Sequence, residues 1–326
     1  MSPKSLLCSS AFMMSFAVIV SLITNFTGIF PGDVLDADLR SKITILFLAV
    51  MLTLSFSRIP YKDLNPIEHS ASTIRAIIIG LVVASIVPLV AFFILKGTEY
   101  SDYATGLVFI AATPFAASVG PLSFILKGDF PHALRSTVII YVLALLWIPF
   151  IVWICLGESV EMKSVFITVL EIIGLPLILS RLLTKVPIPK DVMSMVLNCI
   201  IAFLVWLSVS SADFQSAGVF ILVVFLIVAG LRTFFVGPIV EFGERSAGIH
   251  WTQRVTDILM VTYKNKGIAL ALCASVLVGP LIPKAMVAIA ASIIVDVLWV
   301  AFMDGVLFSK KRMDSELARE AKTDKV

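Results

Sequence analysis

Charge is scarce in this sequence. Asp, Glu, Lys and Arg make up 14% of its 326 residues, against about 25% in soluble globular domains. The four cysteines, Cys8, Cys155, Cys199 and Cys273, stand far apart, in or at the ends of apolar runs. That placement excludes a disulfide framework and the paired spacing of a zinc site. His69, His132 and His250 fall in short connections with no acid at ligand spacing, so no metal and no cofactor are expected. His-Glu-x-x-His, Gly-x-Ser-x-Gly and phosphate-cradling glycine loops are missing as well, which argues against an enzyme. The net charge is only +3 and forms no basic stripe, so nucleic acid is not an expected partner.

What the chain has instead is 59% hydrophobic residues, arranged in long runs. Barrel strands would alternate apolar and polar positions over about ten residues, and these runs do not. The expected fold class is an all-α polytopic membrane protein embedded in a lipid bilayer. Hydropathy places ten spans near 6–29, 41–57, 72–95, 104–127, 132–156, 164–183, 192–211, 216–236, 255–279 and 283–308. The first is too long for a signal peptide and lacks an Ala-x-Ala site, so it reads as a retained helix. Breakers mark the turns: Pro31-Gly32-Asp33, Pro60, Pro66, Gly97, Gly128-Asp129, Gly157 and Pro187 with Pro189. The connection from Gly237 to Arg254 reads as an amphipathic interfacial segment, and residues 309–326 as a solvated tail.

Orientation follows from Lys and Arg in short loops. Lys4, Arg58, Lys62, Arg75, Lys127, Arg135, Arg181, Lys185, Lys190, Arg232, Arg245, Arg254, Lys310, Lys311 and Arg312 collect on one side. The other side has only Arg40, Lys42, Lys96, Lys163 and Lys284, beside Asp33, Asp36, Asp38, Glu99, Asp102, Glu158 and Glu161. Both termini are therefore expected in the cytoplasm, with the protein in the cell (inner) membrane. Ten spans with both ends inside divide into two five-helix units of opposite orientation, residues 1–163 and 164–308, an inverted repeat of the kind secondary transporters use.

The fourth span of each unit carries a break. Span 4 reads Thr113-Pro114-Phe115-Ala116-Ala117-Ser118-Val119-Gly120-Pro121, where each proline removes an amide donor. Span 9 holds Tyr263-Lys264-Asn265-Lys266-Gly267 between apolar flanks. Two ammonium groups at that depth cost several kcal/mol each unless they face a cavity, a partner or a ligand. If spans 4 and 9 cross at their breaks, four half-helix ends meet near the midplane. Their N-terminal ends suit anions and their C-terminal ends cations. A lysine beside the half-helix end at Thr262 would then need no carboxylate. Thr113, Ser118, Ser123, Thr137 and Thr262 supply further donors and acceptors, and Asp296, Glu171 and Asp257 are the acids that would pair with the lysines.

These residues carry a resemblance. Thr113-Pro114 through Ser123-Phe124 to Lys127-Gly128-Asp129 resembles the fourth-helix signature of the bile acid:sodium symporter superfamily. Asn265-Lys266-Gly267 with its Ile-Ala-Leu-Ala-Leu continuation is similar to that family's ninth helix, and Met51 to Ser55 to the end of its second. The chain looks like a divergent, prokaryotic-type member. The resemblance implies a panel domain of spans 1, 2, 6 and 7 and a core domain of spans 3–5 and 8–10. A small organic anion would bind between them near the crossover and move by alternating access.

The departures shape the expectation. Val119 and Gly120 stand where the family has a sodium-binding Ser-Asn, and Met260 where it has a sodium-binding Glu; only Thr137 keeps a matching hydroxyl. With side-chain oxygens missing and two ammonium groups present, sodium-independent transport is expected, with Lys264 and Lys266 replacing the ion. Three roles stay open for the lysines: structural replacement of sodium, a proton-coupling group, or direct anion binding. The rivals are a cation/proton antiporter, which wants an acid at the crossing, and a non-transporting receptor or scaffold.

Overall fold

The computed structural model describes residues 6–32, 34–59 and 69–323. The turn residues Asp33, Pro60 and Pro66 lie outside the described residues, as do the first residues of the chain. The rest is helical, with one isolated β-bridge. In chain order the helices are α1 (Ser10–Thr27), α2 (Ala37–Phe56), α3 (Ser70–Leu95), α4 (Ser101–Ala112), α5 (Val119–Ile125), α6 (Phe130–Leu156), α7 (Met162–Leu183) and α8 (Lys190–Val209). Then follow α9 (Phe214–Ser246), α10 (Trp251–Thr262), α11 (Lys266–Val276), α12 (Leu281–Leu307) and α13 (Lys310–Thr323).

Seven of these, α2, α3, α6, α7, α8, α9 and α12, are long and apolar enough to cross a bilayer. The shortfall from ten has a physical cause. Spans 4 and 9 are each two short helices, α4 with α5 and α10 with α11, so neither holds a continuous run of the required length. The first span yields only the shorter apolar helix α1. Large apolar side chains such as Phe16, Ile94, Leu146, Phe220 and Leu298 are exposed all round the bundle. Such a coat is suited to lipid rather than water.

Local chemistry sets the helix ends. Ser9, Asp36, Asp129 and Asp213 each accept a backbone N–H three residues on, capping α1, α2, α6 and α9. Gly28 closes α1 in the left-handed region at φ 69°. Gly218, at φ 74°, bends α9 in its first turns. α1 packs on α8, α2 on α7 and α11, α4 on α3 and α12, and α9 on α12. Asn25 ties α1 to α8 by donating to Ala212 O at 2.7 Å and Ser210 O at 3.0 Å. Ser21, Thr24 and Ser211 bond carbonyls of their own helices.

α4 and α12 approach each other closely. A Cβ on Gly106 would lie 2.0 Å from the backbone oxygen of Ala285. Gly106→Ala is therefore expected to force two core helices apart at a cost of about 1–3 kcal/mol, read as a lower melting temperature in detergent. An unchanged melting temperature would refute that approach.

Two segments differ from expectation. α9 does not stop near residue 236 but runs on to Ser246. Its last turns bury Glu241 and Glu244 and expose Ile239 and Phe242, so the polar face turns inward. The tail is docked as well. Glu316 of α13 is buried and pairs with Arg254 at 2.7 Å and Arg245 at 2.8 Å, while Arg312 pairs with Glu241 at 2.7 Å. Arg254 and Arg312 both lie against the Trp251 ring.

Candidate functional site

The two breaks meet. Residues Thr113 to Ser118 leave the helix between α4 and α5, and Tyr263 to Asn265 do so between α10 and α11. They pair as a short antiparallel bridge, Phe115 opposite Lys264. The Ala116 N–H donates to Tyr263 O at 2.7 Å, and the Asn265 N–H to Pro114 O at 2.8 Å. Backbone that could find no water at this depth thus finds backbone. Span 4 has one break, at Pro114. Gly120 and Pro121 fall in the first turn of α5, where a missing N–H leaves no hydrogen bond unmade, and Pro121 is exposed.

Lys264 is buried, with 1% of its surface exposed, and reaches no carboxylate among the described residues. Its ammonium donates to Thr113 O at 2.6 Å, Ala111 O at 3.1 Å, Ser85 Oγ at 3.1 Å and Gly80 O at 3.4 Å. Ala111 and Thr113 are the C-terminal end of α4, whose carbonyls carry partial negative charge. Gly80 lies in a π-type turn of α3, Ile78–Val83, a widening of the helix that often marks functional positions. Lys264 therefore sits at the end of α4, not at the end of α10 near Thr262. Its side chain leaves the extended strand toward the partner break.

The end of α10 is held by Arg232, which sequence reasoning placed among the loop cations. Arg232 is 1% exposed and lies in a second π-type turn, Leu231–Phe235 of α9. It donates to Thr262 O, to Ser292 Oγ at 3.3 Å and to Asp296 at 2.5 Å. The other oxygen of Asp296 accepts from Lys266 at 2.8 Å. Three cations, Lys264, Lys266 and Arg232, thus share the crossover with one paired acid.

The remaining candidates divide. Asn265 caps α11 by accepting the Ile268 N–H at 3.0 Å, and its amide donates to Tyr141 Oη at 2.7 Å. Tyr141 in turn donates to Phe115 O at 3.0 Å. Gly267 faces Leu48, whose Cδ2 would lie 2.6 Å from an added Cβ. Thr113, Thr137 and Thr262 bond carbonyls of their own helices, and Thr262 also accepts from Trp299 Nε1 at 2.9 Å. Ser123 is away from the crossover, bonded to Thr256 at 2.7 Å. Ser118 precedes α5, and its carbonyl accepts the Leu122 N–H.

Two of the three acids do not pair with the lysines. Glu171 is exposed on α7. Asp257 is fully buried but serves Arg75 at 2.6 Å and His132 at 2.9 Å. Its position more than a turn before Thr262 keeps it from the break. His132 is likewise no loop residue without an acid; it lies buried in the first turn of α6. Among the described residues no group of three His, Cys, Asp or Glu is placed to hold a metal ion.

A helical bundle with an apolar coat and two broken helices paired at their breaks is the architecture of a polytopic membrane protein. The profile of the Sodium Bile acid symporter family matches residues 45–230, more than half of the 326 residues, and the chain belongs to that family. The match ends at Gly230, before α10 and α11 begin. No curated protein matches the chain.

Proposed function

We propose that this protein is a secondary active transporter of a small organic anion that works by alternating access without sodium. The carrying observation is that both half-helix C-termini at the crossover are held by cations of the chain itself, α4 by Lys264 and α10 by Arg232. A bound cation would do the same work there by compensating the carbonyl dipoles. Lys264, ringed by four oxygens, is the replacement; Lys266 instead balances Asp296 together with Arg232.

The matched breaks, and the matched π-type turns in α3 and α9 that face them, support the reading of two inverted five-helix repeats. Spans 1, 2, 6 and 7 would form the panel and spans 3–5 and 8–10 the core, with both termini in the cytoplasm of a cell whose inner membrane holds the protein. The excess of cations over acids at the crossover favours an anion as cargo. It disfavours a cation/proton antiporter, because Asp296 is already engaged by two cations.

Counterflow in proteoliposomes tests the reading, with a panel of labelled small carboxylates and sulfonates in sodium or potassium buffer. Exchange of at least one anion at equal rates in both salts is expected. Exchange only in sodium overturns the coupling, and binding without exchange makes the protein a receptor.

A further inference from the structure

A second buried cluster lies on the α13 side of the crossover, where the starts of α3, α6 and α10 converge with the end of α9. Asp257 of α10 accepts from Arg75 of α3 at 2.6 Å and contacts His132 Nε2 of α6 at 2.9 Å. Arg75 also donates to Gln253 at 3.1 Å. Glu244 of α9 approaches the same guanidinium only to 3.6 Å. Its residue is 8% exposed, and both carboxyl oxygens are buried with no hydrogen-bond partner among the described residues.

The charges facing Glu244 are Asp257, Arg75 and Arg254. Arg254 is engaged by Glu241, Glu316 and Glu320 at 2.8, 2.7 and 3.3 Å. That leaves Arg75 as one cation for two buried carboxylates, and its shorter contact is to Asp257. His132 presents its other nitrogen to Ser136 at 3.4 Å, and Asp129 accepts its backbone N–H. Two carboxylates sharing one cation out of water cannot both stay ionised without a large cost.

We propose that Glu244, with Asp257 and His132, forms a buried proton-binding site. The proton resides on Glu244, beside Asp257, and His132 hands it on through Asp257. Arg75, with a side chain one-fifth exposed, opens the cluster to the surface. Each of the four helices that contribute a group adjoins the crossover, so loading and unloading the proton changes the charge that binds α9 to α10. A proton taken up here is the coupling ion if the protein is the transporter proposed above; that role rests on that reading, whereas proton binding does not.

The test is a pH titration of the purified protein in detergent, following the protonated-carboxyl C=O stretch by infrared difference spectroscopy and the melting temperature in parallel. Wild type is expected to show a carboxyl band at neutral pH that is lost on raising the pH. Glu244→Gln or Asp257→Asn should remove it, and Glu171→Gln, at an exposed acid, should leave it in place. The stability readout has a defined sign. An unfolded glutamate releases its proton near pH 4.3, to within about a unit, so above that the native state binds the extra proton and stability falls as pH rises. Glu244→Gln cannot ionise; it should flatten that slope and melt above wild type at alkaline pH, which loss of a purely structural ion pair would not produce. No band in wild type, or a band that survives both substitutions, overturns the proposal. Both measurements are made without substrate, so their failure leaves the transport reading standing, and failure of counterflow leaves the proton site standing.

Discussion

Lys264→Met is expected to lower the stability of the protein by about 3 kcal/mol. Methionine matches the lysine side chain as far as Cε but offers no donor. Thr113 O, Ala111 O, Ser85 Oγ and Gly80 O would all lose the ammonium. Ser85 can turn its hydroxyl to Ala111 O at 2.6 Å, which satisfies one of the carbonyls. Thr113 O and Gly80 O are left without that charged donor at a depth where water is scarce. Hydrogen bonds to charged groups contribute about 1.5–3 kcal/mol each. Removing the cation also removes its own desolvation cost, so the net loss is smaller than the sum over the bonds.

Sodium and potassium should distinguish wild type from the variant. Wild type should melt at the same temperature in sodium and in potassium, because the ammonium occupies the oxygen ring. Lys264→Met leaves that ring free for a small cation, and one that binds only the native state stabilises it by mass action. Sodium should therefore recover part of the loss in the variant and do nothing for wild type. Stabilisation of wild type by sodium alone would show that the lysine does not stand in for an ion.

The breaks were legible because they are local. Pro114 within span 4 and Lys264-Asn265-Lys266-Gly267 within span 9 interrupt apolar runs in ways that only a lined cavity or a paired backbone tolerates. The two breaks pair as an antiparallel bridge, Phe115 opposite Lys264. What the sequence hid is non-local. Arg232 falls inside the span placed at 216–236, yet its nearness to that span's end let it count as a loop cation. The missed signal lies downstream, where Phe234, Phe235 and Val236 restore the apolar character. An arginine with apolar sequence on both sides is a buried candidate. The same error hid the cluster around Asp257. Arg75, His132 and Glu244 each sit at the end of a different helix, and nothing in their sequence spacing brings them together. The destination of Lys264 was misplaced for a related reason: adjacency in sequence to Thr262 suggested the end of α10, whereas the extended strand directs the side chain across the bridge to α4.

Asp296 carries the other large effect. It is the only described carboxylate that touches a crossover cation, with one oxygen on Arg232 and the other on Lys266. Asp296→Asn would leave two buried cations against a neutral amide, and unpairing a buried charge in this way costs about 3–5 kcal/mol. Lys266→Met should behave differently. It leaves Asp296 paired with Arg232 at 2.5 Å, one acid to one cation, so the acid is not stranded as the uncompensated buried charge that makes a broken pair costly. The expected order in a thermal melt is therefore wild type and Lys266→Met close together, with Asp296→Asn far below. If Lys266→Met falls as far as Asp296→Asn, the lysine is an obligatory structural partner of the acid. If it melts like wild type yet abolishes anion exchange in proteoliposomes, the surplus positive charge at the crossover is what the cargo reads, and the anion is recognised where α11 begins.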